Sequence, residues 1–184
     1  MTRTRYFAAM SLDGYLADPA GSLDWLLALP DQGEEGAFAA FLADVGAIAM
    51  GATTYEWILG HEPMLERPEL WHEWYGERPT WVFTHRALPR IPGADVRFVA
   101  GDVAPVHREM AAAAGDRDVW LMGGGALAGA FADAGLLDEL VLSVAPLLLD
   151  GGAPLLPRRL EGRLRLTAAR VAGVFAELRY AVER

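Results

Sequence analysis

The stretch WLMGGGALAGAFADAGLLDEL, residues 120–140, places three consecutive glycines between an apolar segment and a segment with helical periodicity. Apolar residues before Gly123 are typical of a buried strand, and alanine-rich residues after Gly125 favour a helix. Glycine is unfavourable in regular structure because it loses more backbone entropy on folding than other residues. This junction therefore indicates either a tight turn under a closely packed helix or the close approach of a ligand to the main chain.

A second junction of the same kind occurs in MGATTYE, residues 50–56, where Gly51 follows an apolar strand and Thr53 and Thr54 begin a helix. Helix N-termini offer unpaired N–H groups and the positive end of the helix dipole, which favour phosphate binding. In open α/β sheets, ligands collect at the carboxyl ends of the strands. Two such junctions predict one extended nucleotide across both, although the threonines could be helix caps only.

A third strand end carries Thr84, His85 and Arg86, which together supply a hydroxyl, an imidazole and a guanidinium. This set suits a phosphomonoester, because charged donors make strong hydrogen bonds to phosphate. The alternative is that they are ordinary polar residues leaving a strand.

Strand and helix patterns alternate along most of the chain. Strands are predicted at 5–12, 47–51, 79–85, 96–101, 118–122 and 139–149, and helices at 34–46, 53–59, 104–114 and 126–137. Residues 60–78 form an irregular stretch in this prediction. The segments on either side of Gly173 alternate strictly, which indicates a hairpin. We therefore predict one α/β domain over residues 1–184, with a mostly parallel sheet and a C-terminal antiparallel hairpin.

Composition excludes several classes of function. The chain has 184 residues, a net charge of −9 and no cysteine. The acidic charge argues against nucleic acid as a main partner, and no apolar run is long enough to span a membrane, so we expect a cytoplasmic protein. The sequence contains no lysine, which excludes a Schiff base and a Walker A loop. The four histidines are scattered, so we expect no metal site.

Taken in order, the motifs resemble the dihydrofolate reductase fold, and more closely the C-terminal reductase domain of riboflavin biosynthesis proteins. The motifs are AAMSLDGYLAD, MGATTYE, WVFTH, WLMGGGAL and LVLSVAPLLLDGGAPLLP, and together they span nearly the whole chain. The resemblance implies a three-layer α/β/α fold, a nicotinamide cofactor that is usually NADPH, a small heterocyclic substrate and a homodimer. The apolar length of LVLSVAPLLL and DGGAPLLP also favours a homodimer.

The resemblance also implies roles for individual residues. Residues beside the nicotinamide would be Ala9, Asp13, Gly14 and Leu16. Residues at the cofactor phosphates would be Gly51, Thr53, Thr54, Met122, Gly123, Gly124, Gly125, Ala126 and Leu127. Residues around the adenosine ribose and its 2′-phosphate would be Thr84, His85 and Arg86.

Three residues are candidates for catalysis by the same resemblance: Glu35, Asp13 and Ser143. Glu35 would be the substrate-binding carboxylate, with Ser143 facing it and with Trp25 and Trp57 near the substrate. Glu35, Asp13 and the tryptophans have alternative explanations. Acidic residues are preferred at helix N-termini, Asp-Gly is an ordinary turn, and tryptophans commonly pack in cores.

Two departures from the family patterns bear on specificity. Ala52 stands where dihydrofolate reductases have a basic residue for the 2′-phosphate, so NADH stays open as a cofactor. Met122 stands where riboflavin-pathway reductases usually have an acidic residue, so the substrate site is altered. The leading hypothesis is an NADPH-dependent reductase of a pteridine-like or pyrimidine-like substrate. The alternatives are a dinucleotide-binding module without turnover and a purely structural α/β dimer.

Overall fold

The computed structural model describes residues 2–29 and 37–183 of the chain. Its strands are β1 Thr4–Ser11, β2 Tyr15–Ala17, β3 Val45–Gly51, β4 Thr80–Phe83, β5 Val96–Val99, β6 Asp118–Gly123, β7 Glu139–Ala145, β8 Ala153–Pro154, β9 Arg163–Ala172 and β10 Phe175–Glu183. Its helices are α1 Asp24–Leu27, α2 Ala37–Ala43, α3 Ala52–His61, α4 Glu69–Tyr75, α5 Val103–Ala114 and α6 Gly125–Asp133. None of the helices in these two ranges has both the length and the apolar character needed to cross a membrane.

Eight strands form one sheet in the order β5-β4-β3-β6-β1-β7-β10-β9. The six strands from β5 to β7 run parallel, and β10 pairs antiparallel with both β7 and β9. The carboxyl ends of the parallel strands therefore lie along one edge. The predicted mostly parallel sheet with a C-terminal antiparallel hairpin is confirmed.

Strand β3 is buried along almost its whole length, as expected of a central strand covered on both faces. On one face Ala47 and Ala49 join a core with Met110 of α5 and Phe131 of α6. On the other, Ile48 and Met50 join a core that includes Phe41 of α2, Tyr55 of α3 and Trp71 of α4. The sheet thus separates two hydrophobic cores, which gives the predicted three layers.

Several elements differ from the sequence prediction. Residues 45–46, predicted as the end of the helix 34–46, lie in β3. Helix α4 lies in the stretch expected to be irregular, because Trp71 and Tyr75 are one helical turn apart and both are buried against α3 and the sheet. Strand β7 ends at Ala145 and does not continue to 149, since Pro146 follows it and cannot donate to the ladder. Strands β2 and β8 add a small second sheet that the sequence pattern did not predict.

Candidate functional site

The two glycine junctions meet at one edge of the sheet. Gly51 is the N-cap of α3 and Gly124 is the N-cap of α6. Strands β3 and β6, which lead into these helices, are neighbours. A Cβ atom built on Gly51 would lie 3.8 Å from the amide nitrogen of Gly124. Two positive helix ends therefore point into the same small region, which favours an anionic group such as a diphosphate.

The four glycines of these junctions divide into two kinds. Gly123 has a φ of +148°, a conformation that side chains rarely adopt, and a Cβ on Gly125 would overlap the carbonyl oxygens of Pro154 and Leu155. The fold itself therefore explains Gly123 and Gly125. Gly124 has a φ of −89° and open space around a built Cβ, and Gly51 has a φ of −82° and only ordinary contacts there. The space above Gly51 and Gly124 is thus available for a ligand.

A cleft of about 230 Å³ opens beside these glycines. The sequence-predicted site residues that line it are Ala9, Leu16, Thr53, Thr54, Trp57, Met122, Gly123 and Gly124. They come from β1, β2, α3 and β6, which are distant in sequence and meet only in the fold. The structure therefore brings together residues predicted for the nicotinamide, the phosphates and the substrate.

Part of the cleft wall is formed by residues that sequence reasoning missed. Leu23 and Leu26 come from the start of α1, Gly21 from the loop before it, Ala17 from the end of β2, and Ala153 from β8. The available signal was the pair of leucines in a segment otherwise rich in Gly, Asp and Pro, since apolar residues in a loop usually cover something. Trp25 lies between these leucine positions on α1 and does not itself line the cleft.

The threonines of α3 are not its N-cap, as one sequence alternative supposed. The N-cap is Gly51, without a side-chain cap hydrogen bond, and Thr53 and Thr54 lie in the first turn of the helix. The hydroxyl of Thr54 is 3.3 Å from the position of a Cβ on Gly123, so it lies across the gap between the two junctions. Both threonines line the cleft, and their hydroxyls are of the kind that can donate hydrogen bonds to phosphate oxygens.

Thr84, His85 and Arg86 follow β4 at the same sheet edge. The Arg86 amide donates to the hydroxyl of Thr84 at 2.9 Å, which fixes the turn after the strand. The guanidinium of Arg86 donates to the carboxylate of Glu56 on α3 at 2.8 Å, and both side chains are largely exposed. Arg86 therefore already has a carboxylate partner that a bound 2′-phosphate would have to replace.

Asp13 joins the turn after β1 to the segment that follows β7. Its carboxylate accepts hydrogen bonds from the Ser11 hydroxyl at 2.6 Å and from the amides of Leu149 and Asp150. The hydrogen bond from Ser11, followed by those from the two amides, lowers the pKa of the Asp13 carboxyl below its usual range. This geometry gives Asp13 a positioning role for the loop that contains Gly14, and it stays ionised.

Ser143 lies on β7 directly beside Ala9 of β1 in the parallel register. Its neighbours Leu142 and Val144 belong to the core on the α5 and α6 side, so Ser143 faces the opposite side of the sheet. Ser143 is half-buried and is not part of the cleft wall in this conformation. Glu35 lies outside the described residues.

Comparison with known proteins identifies the family. Residues 73–174, more than half of the chain, match the RibD C-terminal domain. The protein YwjB of Bacillus subtilis (strain 168) is 27% identical over 179 residues, which cover 97% of each chain.

Solved structures agree with this match. A protein from Shewanella sp. PV-4 assigned to riboflavin biosynthesis has 27% identity and a TM-score of 0.79, with 100% of each chain covered. Dihydrofolate reductase from Enterococcus faecalis, complexed with NADP(H) and RAB-propyl, has 15% identity and a TM-score of 0.62 over 99% of this chain and 97% of its own. The chain therefore has the dihydrofolate reductase fold and belongs to the RibD C-terminal domain family.

Proposed function

We propose that the protein is an NADPH-dependent reductase that transfers hydride to a small heterocyclic substrate. The observation that carries this proposal is the pair Gly51 and Gly124, which face each other at two helix N-termini although no internal contact or positive φ requires glycine at either position. Side-chain-free N-caps at paired helix ends suit the close approach of a diphosphate. A nicotinamide dinucleotide carries such a diphosphate, and the Enterococcus relative binds one.

Each part of the cofactor would have a distinct set of partners in this proposal. The diphosphate would be held by the first-turn amides of α3 and α6, which include that of Ala126, and by the hydroxyls of Thr53 and Thr54. The Leu127 amide donates instead to the Gly124 carbonyl at 3.0 Å and closes the first turn of α6. The nicotinamide would enter the cleft, and when bound it would supply the hydride. Arg86 and His85 would hold the 2′-phosphate at the end of β4. The leucines of the cleft wall would exclude water from the reacting atoms.

The proton for reduction would come from the substrate side of the cleft. Asp13 is committed to Ser11 and to the segment after β7, which leaves Ser143 and Glu35 as the candidates that the sequence suggests. A hydroxyl at Ser143 can orient a ring substrate or relay a proton through water. Reduction of a pyrimidine as in riboflavin biosynthesis, or of a pterin as in folate metabolism, is the nearest chemical class.

Thermal unfolding with and without cofactor tests the proposal. We expect NADPH at about 100 times its Kd to stabilise the fold by about 2.7 kcal/mol and NADH to stabilise it less. Gly124→Val should abolish the shift, because its side chain fills the space that the diphosphate requires. Gly60→Val is the matched control, since Gly60 lies on α3 away from the cleft with nothing within 4 Å of its Cβ position.

Two results would contradict the cofactor assignment: negligible shifts with both dinucleotides, or a full NADPH shift in Gly124→Val. Turnover is tested separately by following NADPH oxidation with pterins, pyrimidines and quinones. A protein that binds NADPH tightly but oxidises it with none of them would be a dinucleotide-binding module and not a reductase.

A further inference from the structure

Trp57 has the largest side chain among the described residues that line the cleft. Helix α3 begins after its N-cap Gly51, and Trp57 is six residues further on, which is roughly 9 Å along the helix axis. Thr53 and Thr54 lie one turn before it, so the three side chains share one face of the helix. The indole therefore borders a part of the cleft beyond the end proposed for the diphosphate, where a ring would be bound.

One face of this indole is covered by His61, one helical turn further along α3. The two ring centroids are 4.1 Å apart, and the angle between the ring planes is 21°. Nδ1 of His61 lies 2.9 Å from the carbonyl oxygen of Trp57. Since a carbonyl can only accept, Nδ1 carries the hydrogen of this bond. The hydrogen bond fixes the imidazole on the helix, and the stacked imidazole in turn fixes the plane of the indole.

The direction of side chains on a helix places His61 behind the indole. Helical side chains lean toward the N-terminus of their helix, so the indole lies over the turn that contains Thr53 and Thr54, and the imidazole covers it from the other side. The indole Nε1 is buried and forms no hydrogen bond within the part of the chain that the structure describes. The orientation of the indole therefore depends on packing, and the exposed His61 supplies the contact on its solvent side.

The cleft is small for the rings that the proposed reaction brings together. Its volume is about 230 Å³, whereas typical ligand pockets have about 300–1,000 Å³. A substrate ring must share this space with the nicotinamide. The other described side chains of the wall are those of alanine, leucine, threonine and methionine, beside glycines without a side chain. The indole is the bulkiest part of the wall, and its rotation would change the width of the cleft most.

We propose that Trp57 limits the substrate to a single flat ring, and that His61 is the positioning residue that holds the indole against the cleft. A fused two-ring compound such as a pterin would fit only if the indole turned away, and that rotation breaks the stack on His61. This inference rests on the proposed reductase function, because the size limit follows from a nicotinamide that occupies part of the cleft.

Two compounds that differ only by a second ring test the size limit. 7,8-Dihydropterin contains the ring of 2,5,6-triaminopyrimidin-4-one, closed by two further carbon atoms. Each compound is titrated anaerobically in a calorimeter, with and without NADP⁺. We expect the wild-type protein to bind the one-ring compound about tenfold more tightly or better, since overfilling a packed site is costly. Trp57→Ala should remove this preference.

Three results overturn the size limit: equal or tighter binding of dihydropterin by the wild-type protein, binding of neither compound, or an unchanged preference in Trp57→Ala. If Trp57→Ala fails to fold, Trp57→Leu decides by the same criterion, because leucine is smaller than the indole and keeps an apolar contact with the core.

Variants of His61 test the positioning role. His61→Ala should weaken the preference for the one-ring compound, and His61→Phe should restore it, because a phenyl ring can stack in place of the imidazole. His72→Ala is the matched control, since His72 lies on α4 and is not among the residues that line the cleft. An unchanged preference in His61→Ala, or the same loss in the control, overturns the role of His61.

The indole N–H resonance of Trp57 reports the stack directly in a nitrogen–proton NMR spectrum. The resonance is identified by its absence in Trp57→Phe. It should move in His61→Ala, which lacks the ring current of the imidazole, and stay close to its wild-type position in His72→Ala. An unmoved resonance in His61→Ala means that the stack does not hold the indole, and it overturns the positioning role.

Failure of this inference is distinguishable from failure of the reductase function. The NADPH thermal shift of the wild-type protein depends on the glycine junctions. A protein that shows this shift and oxidises NADPH with dihydropterin keeps the proposed function and loses the inference. A protein without the shift loses the proposed function, whatever its preference between the two rings.

Discussion

Among single residues, Arg86 is the one that we expect to have the largest effect on the choice between NADPH and NADH. Ala52 supplies no charge at the position where the resemblance to dihydrofolate reductases predicts a basic side chain. Under the proposed function, a preference for a 2′-phosphate would therefore depend on the turn after β4. In the structure the Arg86 guanidinium is paired with Glu56 across to α3. This pair is largely exposed, and exposed ion pairs contribute only about 0.2–1 kcal/mol. A phosphate dianion can therefore displace Glu56 from Arg86.

We predict that Glu56→Gln strengthens NADPH binding without strengthening NADH binding. Removal of the competing carboxylate leaves Arg86 available, and a gain of up to about 1 kcal/mol corresponds to roughly a fivefold lower Kd. Titration calorimetry with both dinucleotides measures the effect. Glu66→Gln is the control, because it changes the net charge equally at an exposed position on the loop before α4. A similar gain for NADH, or the same gain in the control, would disprove the role of Arg86.

The sequence identified most of the residues at the cleft but could not separate their roles. Gly123, Gly124 and Gly125 are identical in sequence. Only the φ of Gly123 and the position of residues 154–155 against Gly125 distinguish the glycines that the fold requires from Gly124. Asp13 was a reasonable catalytic candidate from its motif. Its hydrogen bonds to amides more than 130 positions away could not be inferred from local pattern.

At the scale of elements, the start of α6 is pressed against the segment that contains β8. Gly125 is buried, and a Cβ there would overlap the main-chain oxygens of Pro154 and Leu155. The Leu155 amide in turn donates to the carbonyl of Gly14 at 2.9 Å. This segment thus connects the glycine junctions at the cleft with the loop after β1, and its packing against α6 stabilises both.

We predict that Gly125→Ala destabilises the protein by about 1–3 kcal/mol, the usual effect of overpacking against atoms that cannot move easily. Urea unfolding at constant pH measures the change. Gly124→Val should unfold close to the wild-type midpoint, because its side chain enters open space. A wild-type midpoint for Gly125→Ala would mean that residues 154–155 move aside freely, and the close packing would not be a structural requirement.

Long elements with clear periodicity were predictable, and short ones were not. The buried strand 118–122 and the helix 104–114 match β6 and α5 within a residue or two. Strands β2 and β8 have three and two residues, and they exist only because they pair with each other beside the cleft. Helix α4 was missed because its buried aromatic residues lie among charged ones, which hides the apolar periodicity.

Across the whole molecule, the two ends of the parallel strands differ: ion pairs lie at the amino ends, and the cleft lies at the carboxyl ends. At the amino ends, Arg5 is only 4% exposed and pairs with Glu139 at 2.6 Å and with Asp118 at 3.4 Å. A buried arginine with several carboxylate partners fixes the register of β1 between β6 and β7, since its loss would leave buried charge unpaired. The carboxyl ends carry the glycine junctions and the cleft. The ion pairs of Arg5 can therefore stabilise the strand register at the amino ends. The carboxyl ends are left with the open space that a ligand needs.

The predicted homodimer has a second candidate surface besides the segment that the sequence suggested, in which Leu148 is 68% exposed. Most of the apolar residues of β7 are buried within this chain, so that strand has little apolar surface left to offer a partner. Strand β9, in contrast, is an edge strand with exposed Leu164, Leu166 and Val171, the last 80% exposed. A long exposed apolar edge can pair with the same edge of a second copy.

We therefore predict a dimer through β9, with a mass of twice 19.9 kDa in light scattering coupled to size exclusion. The double variant Leu166→Glu, Val171→Glu should be monomeric, because charges on both chains would face each other across the edge. Leu148→Glu, an exposed leucine from the segment after β7, should remain dimeric. If Leu148→Glu alone dissociates the dimer, the interface lies in the segment after β7 and not at β9. A monomeric wild-type protein at micromolar concentration would exclude the dimer.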